Sequence, residues 1–195
     1  MGSYYYLIAQ LPFLTYGLEA PMSSSAFRDL AMTGLSRQDA RGLECCNLAL
    51  TARLNEPDIL GNKVSSAFIR YWYEWEDVLR LNLAKSRSIK LKRENIDQRI
   101  QDAPEYPADA AAAAKAAMAM DSPLEAELFL NKARWNAIDT YKYIDYFSEN
   151  TIFTYYLKLQ LMERREVFNM DEGFAEYKTL YAAILENAGD RNDRN

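Results

Sequence analysis

Histidine is absent from all 195 residues of the chain. That removes the Ser-His and Cys-His pairs that activate many nucleophiles, the zincin helix, and the Glu-x-x-His half-sites of di-iron helical bundles. Cysteine is nearly absent, since the neighbours Cys45 and Cys46 are the only two. Successive helical positions point them in different directions and no other thiol can pair with them. A disulfide framework is excluded, a zinc site lacks its remaining ligands, and a reducing compartment is expected. The seven glycines are scattered and form no phosphate-cradling loop. No apolar run reaches the roughly 20 residues needed to cross a bilayer. The nearest candidate, residues 4–9, is interrupted by Gln10 and Pro12 and lacks the basic region and cleavage site of a signal peptide. A soluble cytoplasmic protein is expected.

Positive charge is also in short supply. Against 28 Asp and Glu stand 23 Lys and Arg, a formal charge of -5, which argues against a dedicated nucleic-acid binder. Apolar residues at 49% and charged residues at 26% are values of a folded domain with a real core.

What is present reads almost entirely as helix. Ser24 or Ser25 caps a short helix bearing Phe27, Leu30 and Ala31, which Gly34 stops. Ser36 with Asp39 resembles a capping box, and the helix that follows carries Leu43, Cys46, Leu50 and Leu54 at spacings of three and four. Residues 57–62 are a turn-rich break. From 62 to 103 no glycine or proline interrupts, so a long rod or a bent pair of helices is predicted, with Phe68, Trp72, Trp75, Leu79 and Leu83 as its apolar stripe. Arg70–Glu74 and Glu76–Arg80 are i,i+4 partners placed on its wetter sides, each supporting the helix by about 0.2–0.5 kcal/mol. Residues 85–93 hold five Lys or Arg and no acid, a solvated helix face.

Residues 104–107 form a second break and the expected boundary between two lobes. The alanine-rich tract 108–119 predicts a thin helix packed close to a neighbour. Ser122-Pro123-Leu124-Glu125 supplies a cap, a first-turn proline and a capping-box acid for a helix running through Trp135 and Ile138 to about Tyr146. Ser148 caps another, with Ile152, Tyr155, Leu159 and Met162 on its seam. A last helix shows Phe174, Tyr177, Tyr181, Ile184 and Ala188, closed by Gly189. Only residues 4–8 are arguable as a strand. The expected fold is all-α, an elongated multi-helix bundle with an N-terminal lobe (1–103), a C-terminal lobe (108–189) and a flexible tail (190–195).

No constellation of catalytic residues stands out. Glu74, Glu76 and Asp77 sit together, as do Asp139 and Asp145, but helix carboxylates flanked by arginines read as a solvated or ion-paired face. The expectation is a chain without catalytic, metal or cofactor residues. The 14 tyrosines serve packing, polar tips toward water, yet Tyr71 and Tyr73 lie off the apolar stripe. They are left to meet another element or a partner, for which Tyr and Trp are favoured.

Three segments carry a resemblance. Tyr4-Tyr-Tyr-Leu-Ile-Ala-Gln-Leu-Pro-Phe-Leu14, Trp72-Tyr-Glu-Trp-Glu-Asp-Val-Leu-Arg-Leu-Asn-Leu-Ala-Lys85, and Tyr155-Tyr-Leu-Lys-Leu-Gln-Leu-Met-Glu-Arg-Arg165 with Gly173-Phe174 downstream resemble a family of small bacterial proteins of unassigned activity encoded among V/A-type ATPase subunits. These are similar in turn to the longer, three-lobed helical C (or d) subunit of that ATPase, which seats the central rotor stalk on the membrane ring and has no catalytic or metal residues. The resemblance implies a non-catalytic central-stalk or accessory role, with the rotor axle and membrane ring as partners and the membrane met only through the complex. Under that reading Tyr71, Tyr73, Arg80, Lys85, Arg87, Lys158, Arg164 and Arg165 are the candidate contacts, chosen from helical exposure and charge. The alternative is a general helical adaptor or assembly factor unrelated to the ATPase.

Overall fold

A computed structural model describes residues 4–48, 66–93, 96–141 and 145–168 of the chain. The fold is all-α. Eight helices and no strand occur among the described residues: α1 (Tyr5–Ala9), α2 (Ser24–Gly34), α3 (Arg37–Cys45), α4 (Ala67–Lys90), α5 (Gln98–Gln101), α6 (Ala108–Met118), α7 (Pro123–Thr140) and α8 (Glu149–Glu166). Leu50, Leu54, the break at 57–62, the last helix with its Gly173-Phe174 and Gly189, and the tail 190–195 lie outside the described residues.

Local sequence explains the ends of most elements. Ser23, one residue before the serines expected to do so, caps α2 by accepting from the Ala26 amide. Ser36 accepts from the Asp39 amide and donates to the Asp39 carboxylate, as half of a capping box. The other half is altered, because the Tyr4 hydroxyl sits between the Ser36 amide and Asp39, accepting from one and donating to the other. Ser122 accepts from the Glu125 amide at the start of α7, with Pro123 in the first turn. The tract around Tyr5 is helix rather than strand. Its N-terminal amide, that of Tyr4, donates to the Phe147 carbonyl and so docks α1 beside the start of α8.

Within the uninterrupted tract the described residues hold the 24-residue α4 and the four-residue α5. Ser66 caps α4, and Lys92 takes a left-handed conformation, φ 49°, just past its end. Arg87 and Lys90 lie in the last turn of α4, where cations complement the helix dipole. Helix α7 stops at Thr140, earlier than its apolar rhythm implies, because Tyr141 is extended.

The predicted stripe of α4 is the floor of the core: Phe68, Trp72, Trp75, Leu79 and Leu83 are all buried. Helix α6 covers it with Ala110, Ala113, Ala114 and Ala117. Methyl side chains let the two backbones approach, and the bulk at the contact comes from the tryptophans, stacked with ring centroids 5.9 Å apart. The Trp75 indole donates to Asp109 at 2.8 Å, so its polar atom is satisfied at the edge of α6. Helix α7 packs on α4, α6 and α8, and α8 in turn receives α2 and α3. One cluster of buried side chains therefore runs from Leu14 to Met162 among the described residues, and residues 104–107, the expected lobe boundary, lie between α5 and α6.

Gly42 in α3 marks a tight crossing. A Cβ there would stand 2.7 Å from Cζ of the buried Phe153 and 3.3 Å from Cδ1 of Ile69. Gly42→Ala would gain about 1 kcal/mol of helix propensity, but overpacking a filled core costs about 1–3 kcal/mol. The substitution is expected to destabilise the chain by about 1 kcal/mol in chemical denaturation, and an increase in stability would show that α3 and α8 are not held this close.

Candidate functional site

Among the described residues the most buried charged side chain is Glu76, only 6% exposed. This corrects the expectation of a wetter position: four residues after Trp72 and three before Leu79, Glu76 lies on the apolar stripe itself. Arg134 of α7 meets it in a two-pronged pair, with Nε and Nη2 each 3.0 Å from a carboxylate oxygen. Arg80, one turn along, donates to the same carboxylate and to the Leu48 carbonyl. Burial works to raise the Glu76 pKa, but the two guanidiniums outweigh it and hold the carboxyl below the usual range. Arg70 and Glu74 form no ion pair with each other.

The carboxylate resembles a paired structural charge more than a general acid, although Arg134 Nη1 is buried without a hydrogen-bond partner. One turn from Arg134, Asn131 is 0% exposed and neither of its amide atoms is hydrogen-bonded. Burial also pushes the Cys46 thiol well above its ordinary pKa, with Cys45 adding to the effect, which removes it as a thiolate nucleophile at neutral pH. No three Cys, Asp or Glu side chains among the described residues group as metal ligands.

Six of the eight candidate contacts make bonds within the chain. Tyr71 donates to the Ala137 carbonyl at 3.2 Å and packs on the Tyr141 ring. Tyr73 donates to the Cys45 carbonyl at 2.8 Å, closing the end of α3. Arg80 serves Glu76. Lys158 pairs with Asp139 and lies 4.7 Å from the Trp135 ring centre. Arg164 pairs with Glu127 at 3.1 Å, and Arg165 donates to the Gly17 carbonyl at 2.8 Å. Lys85 is half-buried and Arg87 is exposed. The eight do not converge on one surface: α4 carries five of them and the far end of α8 carries two.

Among the described residues a broad concavity of about 940 Å³ lies between α1, residues 11–16, α7 and α8, and of the eight candidates only Lys158 lines it. Leu14, Trp135, Ile138 and Thr154 line it and are buried. Phe13, 91% exposed, and Tyr146 stand at its edges with Lys132, Asp139 and Lys158. Its irregular wall is braced: Tyr155 donates to the Pro12 carbonyl at 3.0 Å, Tyr16 donates to the Leu128 carbonyl at 3.3 Å, and the Tyr16 ring meets Trp135 edge-on. Burial raises the pKa of both hydroxyls, so they remain donors at neutral pH. Lys132 lies over the Tyr16 ring at 4.4 Å. No family model, curated protein or solved structure matches the chain. What the cleft can do follows from its own geometry.

Sequence reasoning missed it because its walls come from distant segments. The available signal was Pro12-Phe13, an aromatic directly after a helix-breaking proline and outside any apolar periodicity. No helix among the described residues is long and apolar enough to cross a membrane.

The buried polar groups carry two expected outcomes. Folding holds Glu76 ionised to lower pH than the unfolded chain does. Its contribution is complete above the ordinary carboxylate pKa of about 4.3 and is lost as pH falls through the lower folded value. Glu76→Gln should cost about 3 kcal/mol at pH 7 by stranding Arg134 and should flatten the acid limb of the stability–pH curve; an unchanged limb would contradict the assignment. Asn131→Leu removes two unbonded buried polar atoms at similar volume and should stabilise by about 1 kcal/mol, read as a higher urea midpoint; a lower midpoint would show that the amide is bonded.

Proposed function

We propose that the chain is a non-catalytic, partner-binding component or accessory protein of a bacterial V/A-type ATPase, acting at the central stalk in the manner of that enzyme's helical C (or d) subunit. The observation that supports partner binding is the braced cleft with Phe13 at its edge, a preformed concave surface that loses little freedom on association. The ionised groups of the interior are consistent with the non-catalytic half, since Glu76, Arg80 and Arg134 answer one another rather than surround a reacting position. The ATPase half rests on the resemblance of residues 4–14, 72–85 and 155–165 to proteins encoded among its subunits. A central-stalk element must carry torque without dissociating, which suits long helices cross-tied by buried charge.

The test is co-purification. With the chain tagged in its host, the ATPase A, B and D subunits are expected in the eluate in fixed ratio to it, surviving moderate salt. Purified rotary complexes that lack the chain altogether would overturn the ATPase assignment and favour the general helical adaptor.

A further inference from the structure

We infer that the cleft between α1, residues 11–16, α7 and α8 is a docking groove for an amphipathic helix of a partner protein, apolar on its inner stripe and acidic along the flank that meets Lys132. The inference rests on the partner-binding reading above and not on the identity of the complex. Its first support is the division of chemistry across the groove. The buried lining of Leu14, Trp135 and Ile138 is apolar, and Thr154 already donates to the Thr151 carbonyl at 3.0 Å. A small ligand needs a few polar groups converging inside its pocket to fix its orientation, and these groups are at the rim instead. An inner apolar surface with charge only along the edge is the complement of a helix that presents residues at i, i+3, i+4 and i+7.

The sign of the rim selects the partner. On a chain of net charge -5, the lining contains two lysines and one acid, Asp139, which is itself paired with Lys158. Each ammonium also lies over a ring of the wall, Lys132 over Tyr16 and Lys158 over Trp135. Those contacts hold the cations beside the groove without neutralising Lys132. A locally positive rim on an acidic protein attracts an acidic flank and repels a basic one. Phe13, exposed beside the apolar lining, extends the surface beyond what a small molecule would cover.

The experiment uses the full chain and two labelled peptides of roughly 18 residues, long enough to be helical. Both carry leucines at helical spacing, flanked by Glu in one and Lys in the other. Fluorescence anisotropy should show the Glu peptide binding about tenfold more tightly, with the preference shrinking as salt rises. Phe13→Ala and Lys132→Glu, both at exposed positions, should each weaken the Glu peptide several-fold while leaving the thermal melt unchanged. Equal binding, preference for the Lys peptide, or no binding would overturn the inference. So would capture of dodecanoate without either peptide, or a dimer of the chain that Phe13→Ala dissolves. Peptide binding as expected alongside failed co-purification sinks the ATPase assignment alone; co-purification untouched by either variant, with no peptide binding, sinks the groove alone.

Discussion

Glu76 places a carboxylate on the apolar face of a core helix, and two arginines must reach it before the bundle can close. Removing that charge from water costs several kcal/mol, so the helices that answer it are not free to pack in any register. Arg134 comes from α7 and fixes where α7 crosses α4. Arg80 comes from α4 itself and reaches the Leu48 carbonyl as well, tying in the segment after α3. Gln160 of α8 holds the same segment through the Cys46 carbonyl and the Leu48 amide. A buried ion group of this kind is weak evidence for high stability, since apolar replacements can do as well. Its consequence here is geometric: one carboxylate sets the relation of α4, α7 and the segment leading from α3.

The groove inherits that geometry. Arg134 facing inward turns its neighbour Trp135, with Ile138 one turn on, to the side of α7 that lines the cleft. The opposite wall follows from α8, whose Tyr155 takes the Pro12 carbonyl and whose last turn holds the chain after it, Arg165 through Gly17 and Glu163 through the start of α2. Phe27 packs its ring against Tyr155 at 4.9 Å, so the same tyrosine that braces the groove also belongs to the core. Rigidity at the site and packing of the fold are thus the same set of contacts.

Features set by neighbours in sequence were legible before the structure. The stripe of α4, the Ser122–Pro123–Glu125 start of α7 and the small face of α6 all depend on local spacing and capping chemistry. What was not legible depends on what lies across from a helix. Tyr71, Tyr73 and Arg80 leave the stripe and so look partner-facing in the sequence, but α7 and the end of α3 cover that second face. Glu76 looks wet because it is an acid with an arginine at i+4. Its position between Trp72 and Leu79 is the contrary signal, and only the presence of Arg134 resolves it. The groove was invisible for a related reason: its lining comes from residues more than a hundred positions apart, and residues 11–16 have no periodicity to betray them.

Helix α4, the most distinctive part of the sequence, is therefore mainly a structural spine, and under the proposed reading the partner-facing surface is the groove beside Phe13. Site-specific photo-crosslinking in the native host tests this most directly, with the photoreactive side chain placed at position 13 in one strain and at Arg87 in another. The account predicts a discrete crosslink to a helical segment of an ATPase component from position 13 and a weaker or absent one from position 87. A strong crosslink from position 87 with none from position 13 would contradict it.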